Sequence, residues 1–245
     1  MGLIHYDKRY FVQAVSYEEH IHVLRNLVRS YMAMTREHGI ETWIAHGTLL
    51  GWWWNTRIMP WDYDLDVQMN DTTLALLGEK HNMTRWRFEL DSFRINELFD
   101  NVPSEATADI ADAELVRLQE IREESGDKKE GDAHDFPGRW TDYLMDVNPN
   151  SAQRIRGAGR NVIDARWIDT TNGMFIDITG LSENDPEGKP GVVSCKNNHY
   201  YPTHWLFPLK KAEFEGVQVM VPNKPETVLA DEYGEKSMTV TEFHE

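Results

Sequence analysis

A chain of 245 residues with 41 acidic against 25 basic side chains carries a formal charge of -16, which opposes tracking along a nucleic-acid backbone. A polynucleotide substrate is excluded on that ground, whereas a small nucleotide carried with metal ions is compatible with it. Cys195 is the one cysteine, so neither an intrachain disulfide nor a zinc-cysteine cluster can form. No run approaches the roughly eighteen apolar residues of a membrane span.

The length and apolar content suit a single domain over 1–245. Ser16 with Glu19 forms a capping-box signature, and Ile21, Leu24, Val28, Tyr31 and Met32 follow at helical spacing until Gly39 stops the run. Thr42 to Ala45 then reads as a buried strand, Gly47-Thr48 as a turn, and Leu49 to Trp54 as a short helix. Pro60 sets the entry to an acidic strand in which Asp62, Asp64 and Asp66 alternate with Tyr63, Leu65 and Val67. Alternate side chains share a face, so the three acids lie about 7 Å apart along one side of the strand, a spacing that calls for a cation between them. The upstream Gly-Thr pair offers amides and a hydroxyl to a phosphate.

Between about 100 and 135 Asp and Glu dominate, and apolar residues narrow to the stripe Leu115, Leu118 and Ile121, which marks an acidic helical insertion. Tyr143 to Val147 reads as a strand, and Val162 to Asp169 with Met174 to Ile178 as a hairpin across Thr170-Thr171-Asn172-Gly173. Asp177 sits in the second hairpin strand among Phe175, Ile176 and Ile178. A carboxylate in such a run is paired, bound to metal or near the surface, which makes Asp177 a candidate third metal ligand. Asp164 and Asp169, at or near the ends of the first strand, read as structural or turn acids. Two short strands follow, with Lys210 and Lys211 as candidates to neutralise a substrate phosphate. The last element is a helix from Pro225 to Tyr233, stopped by Gly234.

Several separated motifs now stand in order: H-G-T-L-L-G at His46 to Gly51, P-W-D-Y-D-L-D-V at Pro60 to Val67, G-M-F-I-D-I-T-G-L at Gly173 to Leu181, F-P-L-K-K-A-E-F-E-G at Phe207 to Gly216, and a terminal Y-G. Together they resemble the LicD, fukutin and fukutin-related family over most of residues 16 to 235. The resemblance implies an α/β (α+β) polymerase-β-like nucleotidyltransferase fold, with a small mixed sheet flanked by helices. It also implies transfer of a phosphorylated sugar or alcohol from a nucleotide diphosphate donor, such as CDP-choline or CDP-ribitol, to a glycan hydroxyl.

Carried onto this chain, the resemblance makes Gly47-Thr48 the Gly-Thr motif, with Gly51 a further substrate-binding candidate, Asp64 and Asp66 the paired metal carboxylates, Asp177 the third, and Asp62 an accessory; strand geometry alone permits either Asp64 with Asp66 or Asp62 with Asp64. It implies a two-ion Mg²⁺ or Mn²⁺ site. Bacterial members carry a small residue and an Arg after the second Gly, whereas this chain has Trp52-Trp53-Trp54-Asn55. That replacement is similar to fungal members associated with mannosylphosphate transfer, which favours GDP-mannose as donor, a Golgi or secretory lumen, and stacking of a sugar or base on Trp54. The sequons Asn70-Asp71-Thr72 and Asn82-Met83-Thr84 agree with that compartment. Two rival expectations stand beside the phosphotransferase: an inactive regulator bound to a transferase partner, and a true nucleotidyltransferase.

Overall fold

The computed structural model describes residues 5–89, 140–157, 159–183 and 190–240. The expected acidic insertion at about 100–135 lies outside the described residues. Two compact units divide the chain, residues 1–88 with 142–245 and residues 89–141, and the first carries the site. In chain order the described elements are α1 (Tyr17–Glu37), β1 (Trp43–Ile44), α2 (His46–Asn55), β2 (Leu65–Asn70), α3 (Asp71–His81), β3 (Arg85–Glu89) and β4 (Trp140–Val147). Then come β5 (Ala165–Asp169), β6 (Phe175–Leu181), β7 (Val192–Ser194), β8 (Tyr200–Pro202), α4 (Thr203–Leu206), β9 (Lys210–Phe214), β10 (Val217–Val221) and α5 (Pro225–Tyr233).

Six strands form one mixed sheet in the order β1-β2-β6-β5-β4-β3, with β2 and β6 parallel and the β1–β2, β5–β6 and β4–β5 pairs antiparallel. Helix α1 starts where the sequence expects, with Ser16 Oγ accepting the Glu19 N–H. Its buried side, Leu24, Leu27, Val28 and Tyr31, packs on one face of the sheet. There Trp167 of β5 donates its indole N–H to Ser30 Oγ at 2.9 Å and stacks on Tyr143 of β4. The alternation thus spends one face of the sheet on the main core, and the opposite face carries the charged residues beside a small apolar cluster of Leu144, Ile168 and Phe175 with Tyr10.

Three expectations shift. The acidic strand begins only at Leu65, so Asp62 and Asp64 lie in the segment ahead of β2 and Asp66 alone of the three stands on the strand. Helix α2 begins at His46 rather than Leu49, because Ala45 stays extended and His46 takes a left-handed φ of 49°, turning the chain at once from β1 into the helix. Gly47-Thr48 is therefore the first helical turn and not a loop ahead of it. The strand expected from Val162 starts only at Ala165, since Asn161 gathers the loop before it by donating to the carbonyls of Asn150, Gln153 and Ile155. The asparagines of both sequons serve the fold: Asn70 Oδ1 caps α3 at the Thr73 N–H, and Asn82 Oδ1 accepts the Val147 N–H. Among the described residues no helix is long and apolar enough to cross a membrane.

Strands β9 and β10 join through Glu215-Gly216, whose φ angles of 52° and 77° suit a tight hairpin turn. Glu215 turns its carboxylate inward to Arg25 Nε at 2.8 Å, Arg57 Nη1 at 3.4 Å and the Ile58 N–H at 2.8 Å, tying the hairpin to α1 and to the segment after α2. Gly51 lies under that same segment, where an added Cβ would fall 2.6 Å from the Arg57 carbonyl oxygen. Gly51→Ala is expected to cost about 1–3 kcal/mol, because the obstacle is backbone. A shift of the urea midpoint measures it, and an unchanged midpoint would show that the segment yields freely.

Candidate functional site

One rank of charged residues crosses the polar face of the sheet. Asp66 on β2 lies opposite Asp177 on β6, Asp177 opposite Arg166 on β5, and Arg166 opposite Asp146 on β4. Register partners share a face, so two carboxylates stand side by side at the centre of the sheet. Asp177 Oδ1 accepts from Arg166 Nε at 2.8 Å. Arg9 closes the far end by bonding both Asp7 and Asp146. Asp64, two residues before Asp66, is half-exposed, with His5 Nδ1 at 3.6 Å. Asp62 lies in the turn before β2, beside Gly47, whose Cβ would stand 3.5 Å from Asp62 Oδ2.

Thr48 places the central acid: its hydroxyl oxygen accepts the Asp66 N–H at 2.8 Å and is itself buried. Burial first, then the charges of Asp64, Asp177 and Glu232, lift the Asp66 carboxyl to about 7 against the opposing pull of His46. Burial and the charge and hydrogen bond of Asp64 push Asp62 up to about 8. Asp177 is also raised by burial, though Arg166 holds it down in part. Among the described residues no three Asp, Glu, His or Cys side chains already converge to hold a metal ion. Asp177 is turned onto Arg166, and Asp62 onto Asp64. The donor set nevertheless suits a hard divalent cation, since burial first and then neighbouring carboxylate charge disfavour the ionised forms of Asp62, Asp66 and Asp177, and an ion among them would offset both.

That penalty on ionisation has a measurable sign. The folded state keeps a proton on Asp66 up to about 7, whereas the ordinary carboxyl releases it near 3.8, so stability is full at low pH and declines as pH rises through that window. In EDTA the melting temperature of the wild type is expected to fall between about pH 4 and pH 8 more steeply than that of Asp66→Asn. Added Mn²⁺ should restore it at the upper end. Equal slopes in the two proteins would remove Asp66 from the cluster.

Beside the acids opens a cavity of about 250 Å³ lined by His46, Asp66, Thr179, His199, Glu232 and Tyr233. His46 Nδ1 bonds Glu232 Oε2 at 2.9 Å, and the Tyr201 hydroxyl donates to the other Glu232 oxygen. Burial opposes a charge on His46, but Glu232 and Asp66 outweigh it and raise its pKa. Gln68 gives its amide oxygen to Trp43 and presents its NH₂ to His46 Nε2 at 3.2 Å, so the neutral ring donates from Nδ1 and accepts at Nε2. Thr179 Oγ1 is buried in this lining with no hydrogen-bond partner among the described residues. Sequence reasoning missed His46, Thr179, Tyr201 and Glu232. Three of them left a trace in the motifs, since His46 opens H-G-T, Thr179 lies in G-M-F-I-D-I-T-G-L and Glu232 precedes the terminal Y-G.

Other expected site residues lie elsewhere. Trp54 donates its indole N–H to the Ser237 carbonyl at 3.0 Å, fastening α2 to the short 3-10 helix Glu235–Met238. Lys210 and Lys211 stand on the β9–β10 hairpin, where Lys210 Nζ bonds the Asn223 carbonyl. Asp164 pairs with buried Lys196 at 2.5 Å, and Asp169 accepts from the Thr171 N–H and hydroxyl in the β5–β6 turn, as structural and turn acids do.

A mixed sheet backed by helices, with adjacent carboxylates on parallel strands beside the N-terminal turn of a short helix, defines an α+β protein with a carboxylate-centred cleft. The family model described as LicD/FKTN/FKRP, nucleotidyltransferase domain, matches residues 39–102 and 145–224. The chain belongs to that family. It is 30% identical over 181 residues to Mannosyltransferase regulator 4 of Saccharomyces cerevisiae, and 27% identical over 166 residues to Mannosyltransferase regulator 14 of the same yeast. These matches take in 73% and 68% of this chain but only 12% and 13% of the two yeast proteins.

Proposed function

We propose that this chain is a phosphotransferase module of glycan modification. It would move a sugar-phosphate or alcohol-phosphate group from a nucleotide diphosphate donor, with GDP-mannose favoured, to a glycan hydroxyl and release nucleoside monophosphate. The observation that carries the reading is the register of Asp66 against Asp177 on neighbouring parallel strands, with Asp66 lining a cavity. Asp64, Asp66 and Asp177 would hold Mg²⁺ or Mn²⁺, which neutralises diphosphate charge and stabilises the leaving group when bound. Thr48 positions Asp66 through its backbone, and the His46–Glu232–Tyr201 chain of hydrogen bonds keeps the cavity wall rigid. The names of the yeast relatives supply the mannosyl context, and a Golgi lumen goes with it.

A second reading has its own support. Both yeast relatives are named regulators, and Asp177 is already neutralised by Arg166. On this reading the chain binds a mannosyltransferase partner and its acids are inert. Incubation with Mn²⁺, a mannosyl acceptor and GDP- and CDP-linked donors separates the two. Acceptor-dependent release of nucleoside monophosphate that vanishes in Asp64→Ala/Asp66→Ala supports transfer. Release of pyrophosphate or sugar phosphate would mean nucleotidyl transfer, and silence with every donor would leave the regulator.

A further inference from the structure

We propose that Arg166 is an exchangeable counter-ion: it neutralises Asp177 while no cation is bound, and turns to hold a phosphate of the donor diphosphate once a divalent cation takes that carboxylate. The inference rests on the phosphotransferase reading and deepens it. Arg166 is the residue on the sheet that an incoming cation must displace, since its Nε occupies Asp177 Oδ1 at 2.8 Å. Its other register neighbour, Asp146, is bonded to Arg9.

The displaced guanidinium has a place to go. Arg166 is about one-third exposed and lines a second cavity, of about 450 Å³, with Asp7, Asp146, Arg160, Val162 and Ile163. Val162 and Ile163 line the first cavity as well, so the two spaces adjoin across this short segment, with the acid rank beneath them. Arg9 pairs with both Asp7 and Asp146, and Arg160 and Arg166 add two further positive charges to the lining of this cavity. The Arg166 guanidinium rests 3.8 Å from the centre of the Phe175 ring. An arginine stacked on a ring keeps its N–H edge free to change acceptors without leaving its platform, and its fork matches phosphate oxygens. The occupant is thus a diphosphate that arrives with its cation, which would take over from Arg166 as the counter-charge of Asp177.

Calorimetry on the whole chain tests this with Mn²⁺ alone, then inorganic pyrophosphate in saturating Mn²⁺. Arg166→Gln is expected to tighten Mn²⁺ by about tenfold, because Asp177 is freed, and to weaken pyrophosphate by about tenfold or more. Arg160→Ala should weaken pyrophosphate alone. A thermal melt checks folding, and if Arg166→Gln does not fold, Arg166→Lys, which keeps the charge and loses the fork, should still weaken pyrophosphate. A structural strut would lower both affinities together, and that result, or an unchanged pyrophosphate affinity, overturns the exchange while the phosphotransferase reading stands. Tight binding of inorganic phosphate without Mn²⁺ would point to a phosphorylated acceptor and also overturn it. A wild type that binds neither Mn²⁺ nor pyrophosphate sinks the phosphotransferase reading and the exchange with it.

Discussion

Asp66→Asn is expected to lower donor turnover by about a thousandfold or more while leaving the protein folded, because several kcal/mol of charge stabilisation at the diphosphate is lost with one ligand. The same substitution should raise the melting temperature in EDTA at about pH 8, since it removes an ionised carboxylate that burial and its neighbours disfavour. Loss of activity with a gain of stability is the signature of a residue kept for function at a cost to the fold. Asp177→Asn should lose turnover similarly, with a smaller gain in stability, because its removal also strands the partner bond of Arg166. Turnover assayed by released nucleoside monophosphate, together with melts at two pH values, decides the matter. Wild-type turnover in Asp66→Asn would take that residue out of the chemistry.

Lys196→Met is expected to destabilise the protein by about 3–5 kcal/mol, the largest effect on stability anticipated here. Lys196 Nζ lies 2.5 Å from Asp164 Oδ1 and donates to Asn161 Oδ1 at 2.8 Å, with both members of the ion pair almost wholly buried. Removing the ammonium strands the buried Asp164 carboxylate, whose remaining hydrogen bond among the described residues is the one from the Gly180 N–H at 2.8 Å. Asn161 loses a donor too, and with it some hold on the loop that leads to Val162 and Ile163, which line both cavities. Urea unfolding measures the loss. The double variant Lys196→Met/Asp164→Leu should recover part of it, because replacing both charges removes the stranded carboxylate. A double variant no more stable than the single one would place the damage in Asn161 and its loop.

The legible parts of this chain were those set by local periodicity and by turn chemistry. The Ser16 cap, the spacing from Leu24 to Tyr31, the Thr170-Thr171-Asn172-Gly173 turn and the Pro225–Tyr233 helix all depend on residues close in the chain, and the structure has them. Helix α2 was placed three residues late because a left-handed histidine carries no compositional mark. The extra span given to β5 has a different cause: Val162 and Ile163 look like strand residues but follow a loop that Asn161 organises through bonds to distant carbonyls.

The division at the site follows the same physics. Sequence by itself determined that Asp66 and Asp177 each stand in an apolar strand run, because alternation and the cost of a buried charge are local facts. The strand face expected to carry Asp62 and Asp64 as well keeps only Asp66, since β2 begins at Leu65. Tertiary structure decided that Asp66 stands beside Asp177, that Arg166 is the partner of Asp177, that Thr48 serves the Asp66 backbone, and that Glu232 reaches His46 across 186 positions of chain. Such pairings depend on strand order and register, which are set by how the whole apolar face packs against α1 and not by the residues that meet.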